Sequence, residues 1–245
     1  MTSPDLSGRL VVVTGASRGV GWNASIALAE AGAHVIAIAK TVGALEELDD
    51  AIKAKGGSAT LVPLDLRDLD AIDRLGLSIY ERWGKLDGLF GNAALLGLIT
   101  PVTHLDQKDW NDVMTVNVTA NYRLIRSLDP LLRLSDAGRA LFMTSSVATS
   151  LRPFWGAYAT SKAALEALVR TYAAEVATTP IRVNLFDPGR LRTQMRAKAA
   201  PGEDPATIQH PRVVAPDILR MLAPDFADHG TRFEFTTRTV TRLLG

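Results

Sequence analysis

Short apolar runs alternate with longer helical stretches along most of this 245-residue chain. The first run, Leu10–Val13, precedes a helical stretch at Trp22–Gly32, and a second run at His34–Ala39 precedes another at Leu45–Lys55. Strands that are apolar on both faces belong in a parallel sheet covered by helices on both sides. Since crossovers between parallel strands are right-handed, the alternation predicts a doubly wound α/β sheet.

The alternation continues and predicts a mainly parallel sheet of seven strands, the last at Arg232–Thr236. Before that strand, Arg190–Pro216 lacks a regular pattern and is predicted to be a long loop, a substrate lid rather than a domain boundary. We therefore expect residues 1–245 to form a single Rossmann-type domain. The other predicted strands are Ala59–Leu64, Leu86–Gly91, Arg139–Thr144 and Ile181–Phe186, and the other predicted helices are Leu69–Trp83, Trp110–Leu134 and Tyr158–Thr178.

Charge and cysteine content exclude several classes of protein. The 27 basic and 26 acidic residues nearly cancel, so there is no electrostatic reason to expect a nucleic-acid or membrane partner. The chain has no cysteine, and its four histidines are scattered, so no metal site is expected. The first residues lack the apolar segment of a signal peptide, and no run is long enough to cross a membrane. We therefore expect a cytoplasmic location.

The turn after the first predicted strand is rich in glycine and opens directly into a helix. Its glycines permit a tight turn, close approach of the backbone to a pyrophosphate, and close packing of helix on sheet. The start of the helix supplies unpaired N–H groups and the positive end of the dipole. A turn without a ligand is the alternative, but the position in the first βαβ unit favours a dinucleotide. The candidate cofactor-binding residues here are Gly15, Ser17, Arg18, Gly19, Val20 and Gly21.

The end of the second strand predicts which dinucleotide binds. An NAD site usually has an acidic residue there for the ribose 2′-hydroxyl, whereas this chain has Lys40, with Arg18 nearby in the glycine-rich turn. Two cations without a carboxylate favour a 2′-phosphate, so NADP(H) is predicted over NAD(H); the alternative is that both are solvated surface charges. Asp65 and Leu66, after the third strand, are placed to meet the adenine, although Asp65 could equally cap the next helix.

Tyr158 and Lys162 stand four residues apart at the start of a predicted helix, so both side chains can face one site. A free phenol has a pKa of about 10, too high for ready proton exchange at neutral pH. A neighbouring ammonium favours the phenolate and lowers that pKa. Such a tyrosine can exchange a proton with a carbonyl or alcohol oxygen while a cofactor moves a hydride. The spacing alone is weak, because many surface helices contain it.

Taken in order, these features make the chain resemble the short-chain dehydrogenase/reductase family over essentially its whole length. Each piece is common, whereas the ordered set is specific. Beyond the glycine-rich turn, Tyr158 and Lys162, the matching residues are Asp65, Leu66, Asn92, Ala93, Ala94, Asn117, Ser145, Ser146, Pro188, Gly189 and Thr193.

The resemblance implies a role for each of these positions. Tyr158 would be the acid/base, and Lys162 would lower its pKa and bind the nicotinamide ribose. Asn117 would hold a water in a proton relay to Lys162, and a serine would hydrogen-bond the substrate oxygen. The segment after the fourth strand would support the cofactor through Asn92, Ala93 and Ala94, and the nicotinamide end would be held by Pro188, Gly189 and Thr193.

Two departures from the family pattern bear on these roles. Ala94 stands where the family usually has glycine, so a methyl group replaces a hydrogen beside the cofactor and could weaken binding. The catalytic serine is ambiguous: Ser145 has the usual interval of thirteen residues to Tyr158, whereas Ser146 fits better when counted outward from the fifth strand. We favour Ser146, with Ser145 a close second.

The sequence therefore predicts an enzyme that transfers a hydride between NADP(H) and a small-molecule carbonyl or secondary alcohol. A non-catalytic NADP(H)-binding sensor or scaffold is the alternative, and a related isomerisation is a third hypothesis. The loop Val147–Ala157 would lie over the substrate, with Arg152 a candidate for an anionic substrate; Trp155 could instead pack against the next helix. The resemblance also implies a homodimer or a homotetramer.

Overall fold

The computed structural model describes residues 4–244 and contains one sheet of eight strands in the order β3-β2-β1-β4-β5-β6-β7-β8. The first seven strands are parallel, and β8 is antiparallel to β7. The predicted Rossmann-type architecture is confirmed. The strands are β1 (Leu10–Thr14), β2 (His34–Ala39), β3 (Ser58–Pro63), β4 (Gly88–Gly91), β5 (Arg139–Met143), β6 (Arg182–Asp187), β7 (Thr231–Glu234) and β8 (Thr239–Arg242).

Helices cover both faces of the sheet and bury two apolar cores. One core packs α3, α5 and α7 against the sheet, through residues such as Leu75, Leu128 and Val169. The other packs α1, α2 and α9, through Leu28, Leu48 and Ile218. The helices are α1 (Gly19–Glu30), α2 (Val42–Lys53), α3 (Leu69–Trp83), α4 (Gln107–Met114), α5 (Ala120–Leu132), α6 (Val147–Ser150), α7 (Gly156–Glu175), α8 (Gln194–Ala199) and α9 (Ala215–Met221).

Three elements differ from the sequence prediction. The sheet has eight strands instead of seven, because Thr239–Arg242 forms an edge strand whose residues are all exposed and therefore lack an apolar pattern. The predicted helix Trp110–Leu134 is divided into α4 and α5 by a π-helical turn at Thr115–Thr119. The predicted loop Arg190–Pro216 contains α8, two 3₁₀ turns and the start of α9.

The strand order determines where a ligand can bind. From β1 the chain runs outward to β2 and β3, then returns to β4 on the other side of β1. This reversal opens a crevice at the carboxyl ends of β1 and β4. Predicted functional residues follow each of the strands β1 to β6 at this edge. No helix within residues 4–244 is both long and apolar enough to span a membrane.

Candidate active site

A cleft of about 1170 Å³ runs along the carboxyl edge of the sheet. Its walls come from the loops that follow β1 to β6, and from α8. Two predicted residues, Gly21 and Asn117, lie behind its surface. The other predicted residues line it: Gly15, Ser17, Arg18, Gly19, Val20, Lys40, Asp65, Leu66, Asn92, Ala93, Ala94, Ser145, Ser146, Tyr158, Lys162, Pro188, Gly189 and Thr193.

The glycine-rich turn requires glycine for two separate reasons. Gly19 has a φ of +60°, in the left-handed region that side chains rarely adopt. Gly21 has no room for a side chain, because a Cβ there would overlap the carbonyl oxygen of Gly15 and lie 2.6 Å from Nδ2 of Asn92. The turn can therefore approach a diphosphate closely while α1 presents its unpaired N–H groups to the cleft.

Asn92, directly after β4, holds the glycine-rich turn in place through hydrogen bonds. Its side-chain amide donates to the carbonyl oxygens of Thr14, at 2.9 Å, and Gly15, at 3.3 Å. In return, Oγ1 of Thr14 accepts from the backbone N–H groups of Asn92 and Ala93, at 3.0 and 3.1 Å. The segment after β4 thus fixes the shape of the cofactor turn. Thr14 was not a predicted site residue, although its position at the end of β1 could have indicated it.

Ala94 fits without the backbone conformation that would require glycine. Within residues 4–244, Leu151, Phe154 and Arg238 are the non-glycine residues with positive φ, and Ala94 is not among them. It packs against a small apolar cluster that includes Val147 and Tyr158. The methyl group therefore contributes to the wall beside the tyrosine instead of straining the chain.

Ion pairs surround the end of the cleft where the adenosine is expected. Lys40 Nζ lies 3.1 Å from Oδ2 of Asp65, and Nη2 of Arg67 lies 2.6 Å from the same oxygen. Hydrogen bonds from Arg67 lower the pKa of Asp65 far below its usual range. The proposed capping role belongs to Asp68 instead, which accepts from the N–H of Ala71 at the start of α3.

Arg18 spans the cleft rather than facing Lys40. Its Nη1 donates to Oε1 of Gln194, on α8, at 2.9 Å. This contact joins the glycine-rich turn to the predicted lid segment. Thr193, at the N-cap of α8, would lie 3.4 Å from a Cβ built on Gly19, so the lid also touches the turn there.

Tyr158 and Lys162 occupy adjacent turns at the start of α7, and both are buried. Nζ of Lys162 donates to the carbonyl oxygen of Met143, at 2.8 Å, and lies 5.7 Å from the centre of the Tyr158 ring. Burial lowers the pKa of Lys162 to about 8, despite the opposing effects of Asp187 and Glu166. Burial and the charge of Asp187 raise the pKa of Tyr158, opposite to the direction expected from the sequence.

The two candidate serines have different surroundings. Hydrogen bonding from Ser145 acts on the Tyr158 phenol and partly offsets the rise in its pKa. Ser146 is the N-cap of the short helix α6, where its carbonyl oxygen accepts from the N–H of Ser150 at 3.0 Å. Which serine is catalytic stays a prediction: counting from the strand favours Ser146, whereas hydrogen bonding to the phenol favours Ser145.

Asn117 lies fully buried in the π-helical turn, behind the cleft. Its Oδ1 accepts from the N–H of Leu95 at 2.7 Å, and its Nδ2 donates to the Leu95 carbonyl and to Oγ of Ser161, each at 2.9 Å. These bonds fix the loop after β4 against α7. The predicted role in holding a water remains a prediction, and the structure adds this bracing role.

Three charged residues that the sequence reasoning missed lie behind Lys162. Asp187, at the end of β6, is buried, and its Oδ2 accepts from Nη2 of Arg232 at 2.8 Å. Arg232 Nη1 also lies 3.5 Å from Oε1 of Glu166, one turn beyond Lys162 on α7. An acid directly before Pro188-Gly189 was the available signal for Asp187, whereas the other two come together only in the fold.

Trp155 satisfies both of the interpretations considered for it. It is the N-cap residue of α7, and its ring meets that of Tyr158 edge-on, with centroids 6.1 Å apart. It also lines the cleft. The residue therefore packs against the helix and at the same time forms a wall beside the phenol.

Comparisons with known proteins agree with this geometry. The family model described as short chain dehydrogenase matches residues 9–204. The uncharacterized oxidoreductase YciK of Escherichia coli (strain K12) is 37% identical over 223 residues, which is 90% of this chain and 88% of YciK.

Two further proteins differ in the nucleotide with which they are associated. A short chain dehydrogenase from Escherichia coli CFT073, solved in complex with NADPH, is 36% identical with a TM-score of 0.90, over 96% of this chain and 99% of that chain. An uncharacterized NAD-dependent oxidoreductase of Mycobacterium tuberculosis, Rv0687, is 32% identical over 204 residues, covering 78% of this chain and 74% of its own. The match of the family model over most of the sequence is decisive: the chain belongs to the short-chain dehydrogenase/reductase family.

Proposed function

We propose that this protein is an NADP(H)-dependent reductase of small-molecule carbonyl compounds, with Tyr158 as its acid/base. The observation that carries the proposal is the burial of Tyr158 beside Lys162 in the same cleft as the glycine-rich turn. The non-catalytic sensor explains the turn equally well, but it gives no reason to bury an ammonium next to a phenol, since such burial costs free energy.

The cleft fits a nicotinamide dinucleotide on the evidence of its own residues. The space that Gly21 leaves open and the unpaired N–H groups of α1 suit the diphosphate. Lys162 would bind the nicotinamide ribose, and Pro188, Gly189 and Thr193 would hold the ring end. When bound, the cofactor supplies the hydride that reduces the carbonyl carbon.

The protein side chains would supply the proton. Tyr158, whose raised pKa keeps it protonated at neutral pH, donates its hydroxyl proton to the carbonyl oxygen. Ser145 hydrogen-bonds that oxygen and orients it. Lys162 stabilises the resulting phenolate until it regains a proton from solvent.

The choice of NADP(H) over NAD(H) rests on the end of β2. Lys40 is exposed on the cleft wall, and Thr41, the N-cap of α2, has a side chain that makes no capping hydrogen bond. Both would meet a 2′-phosphate there, with the N-terminus of α2 beside them. Against this, Asp65 already pairs with Lys40, so the cation is partly neutralised before any phosphate binds.

Fluorescence titration with NADPH and NADH tests the cofactor choice. We expect Lys40→Ala to weaken NADPH binding by about fivefold to tenfold and to leave NADH binding unchanged, as for the loss of one exposed charge contact. Lys53→Ala is the control, since Lys53 pairs with Asp49 on α2 and does not line the cleft. Equal weakening of both nucleotides would remove the case for a 2′-phosphate.

Turnover of a carbonyl panel by wild type and Tyr158→Phe tests the catalytic claim. We expect the variant to lose about 10³-fold in kcat/KM while its affinity for NADPH is retained, because only the proton donor is removed. Binding without turnover on any carbonyl by the wild type would favour the sensor. Failure to bind either nucleotide would overturn the central proposal.

Two further expectations belong to the same proposal. The segment Arg190–Pro216 would act as a lid, and the hydrogen bond between Arg18 and Gln194 supports this, since it already joins the segment to the turn. Self-association into a homodimer or homotetramer would use the long helices α5 and α7, as the family resemblance implies. Analytical ultracentrifugation measures the oligomeric state directly.

A further inference from the structure

The part of the cleft next to Tyr158 carries positive charge that no protein carboxylate pairs with. Arg152, in the loop after β5, and Arg192, in the loop after β6, both line the cleft and are both exposed. Neither forms an ion pair within residues 4–244. Two arginines from separate loops thus face one cleft with their charges available.

Two other arginines in the same region share one carboxylate, that of Glu203. Nη2 of Arg196 donates to Oε1 of Glu203 at 2.7 Å, and Arg190 approaches the same oxygen at 3.4 Å. Glu203 therefore accounts for two guanidinium groups of the segment and leaves Arg192 unpaired.

The acidic residues that line the cleft leave the net charge near Tyr158 positive. At the adenosine end, Asp65 pairs with Lys40 and Arg67, Asp112 pairs with Arg67 and Lys108, and Glu47 lies on α2. Near the tyrosine, Asp187 pairs with Arg232. Glu234 lines the cleft at the end of β7, separated by β6 from the strand that leads to Arg152. It could offset one arginine at most. The net charge at the substrate end is therefore positive.

The loop that presents Arg152 is held in an unusual conformation. Leu151 and Phe154 have φ values of +46° and +72°, which cost free energy for bulky side chains. The N–H of Thr100 donates to the carbonyl oxygen of Phe154 at 3.0 Å, and Thr100 also forms an isolated bridge with Trp155. The arginine is thus carried by a short segment anchored to the loop after β4.

Apolar side chains line the cleft on the side of the tyrosine. Leu96, Trp155 and Met195 pack against Val147 and Tyr158 there. Apolar surface in the same cleft as a cation suits a ligand that carries both an apolar body and a negative charge.

We propose that the substrate is a carbonyl compound with an apolar body and an anionic group, and that Arg152 and Arg192 bind this group. The guanidinium fork is suited to a carboxylate, which it can bind through two parallel hydrogen bonds. The anion would hold one end of the substrate while Tyr158 and Ser145 receive the carbonyl at the other. This inference rests on the proposed function, because it names the substrate class of that same site.

A matched pair of ketones tests the proposal in steady-state turnover. A medium-chain keto acid and its methyl ester share the ketone and the apolar chain and differ by one negative charge. With NADPH we expect the wild type to prefer the acid in kcat/KM by about twofold to fivefold, the range for solvent-exposed charge pairs. The preference should decline as salt is added.

Variants then assign the preference to the two arginines. Arg152→Gln and Arg192→Gln should each reduce the preference for the acid, the double variant should abolish it, and Arg152→Lys should restore part of it. The readout is the ratio of kcat/KM for the acid to that for the ester, so a loss that affects both substrates equally does not enter it. Arg74→Gln is the matched control, because Arg74 is exposed on α3 and does not line the cleft.

Two outcomes would overturn the proposal. A wild type that reduces acid and ester equally well has no anion site. If Arg192→Gln instead raises the KM for NADPH and slows acid and ester alike, then Arg192 serves the cofactor, and the assignment to it is wrong.

Equilibrium binding separates this inference from the proposed function. Octanoate and octanamide, which cannot be reduced, are titrated calorimetrically into the NADPH-saturated protein. Tighter binding of octanoate that is lost in the double variant supports the anion site even if no ketone turns over, which would count against the reductase proposal alone. Equal affinities for the two probes would overturn the anion site, whatever the turnover data show.

Discussion

Both ends of the sheet bury charged side chains, but the buried charges at the two ends differ in how many hydrogen-bond partners they have. At the amino end, Asp87 is fully buried and accepts hydrogen bonds from Ser135 Oγ at 2.6 Å, Lys85 Nζ at 2.8 Å and the N–H of Leu10 at 3.0 Å. Burial opposes its charge, yet these contacts together with Arg9 keep its pKa below the usual range. Its charge state is therefore fixed at neutral pH.

At the carboxyl end, the buried charges have fewer partners. Lys162 donates one hydrogen bond, to a backbone carbonyl, and burial brings its pKa to about 8. Tyr158 has its pKa raised by burial, with only Ser145 acting in the opposite direction. An ammonium with a pKa near neutrality is able to change its charge during a reaction.

Burial of charge has a different consequence at the amino end of the sheet than at the carboxyl end. Many hydrogen bonds around a buried carboxylate stabilise one charge state and tie strands together. A single hydrogen bond on a buried ammonium leaves its charge expensive to maintain. The amino end thus uses buried charge for structure, and the carboxyl end keeps it in a state suited to proton transfer. The predictions that follow test this distinction.

The largest expected change in stability comes from the amino end. Asp87→Asn should lower the free energy of unfolding by about 3 kcal/mol, because it leaves Arg9 and Lys85 facing a neutral side chain. Urea denaturation measures the loss. Asp136→Asn is the control: Asp136 also lies near Arg9, at 3.9 Å, but its side chain is 85% exposed, so the change should stay within about 1 kcal/mol. Similar losses in both variants would contradict the role given to burial.

At the carboxyl end, removing a buried charge should raise the free energy of unfolding instead of lowering it. Lys162→Met should abolish turnover yet raise the free energy of unfolding at pH 7 by about 2 kcal/mol, since the wild type must bury an ammonium whose pKa is lowered. Because the pKa of Lys162 is lowered in the folded protein, the free-energy cost of burying its ammonium is complete below pH 8. The cost declines as the pH rises from about 8, the pKa in the folded protein, to 10.5, the ordinary pKa of lysine.

Denaturation of both proteins across this pH range checks the sign. The stability gap between Lys162→Met and wild type should narrow as the pH rises, because the wild type then loses its buried charge. The tyrosines other than Tyr158 titrate alike in both proteins, so their effects cancel in the difference. A destabilised Lys162→Met at pH 7 would show that the lysine is a structural charge, like Asp87.

The smallest expected effect is a shift in pH dependence. Burial is the main reason that the pKa of Tyr158 is raised, and the charge of Asp187 adds to it. The same charge also raises the pKa of Lys162. Asp187→Asn should therefore lower the pKa of both groups and move the alkaline limb of kcat/KM for reduction to lower pH. Asp136→Asn, at the amino end, should leave the limb in place. If the alkaline limb of Asp187→Asn stays at the wild-type pH, the charge of Asp187 does not influence the acid/base group.

Sequence reasoning was most successful where a structure depends on local spacing. The strands β1 to β6 and the helices α1, α2, α3 and α7 were predicted from apolar periodicity. The placement of Tyr158 and Lys162 on one helical face followed from their interval of four. The glycine-rich turn was readable because its conformation depends on the glycines themselves.

The prediction failed where neighbours come from distant parts of the chain. The exposed strand β8 carries no apolar pattern and forms by pairing with β7. The expected lowering of the Tyr158 pKa considered Lys162 alone and omitted burial, the larger effect.

The sequence by itself determined the fold class, the position of the glycine-rich turn and the pairing of Tyr158 with Lys162 on one helix, because each depends on residues close together in the chain. Only the tertiary structure decided the electrostatic surroundings of that pair. Asp187 and Arg232 reach it from β6 and β7, and both Tyr158 and Lys162 are buried. Electrostatic energy depends on distance in space and on burial, and neither is set by the order of residues along the chain.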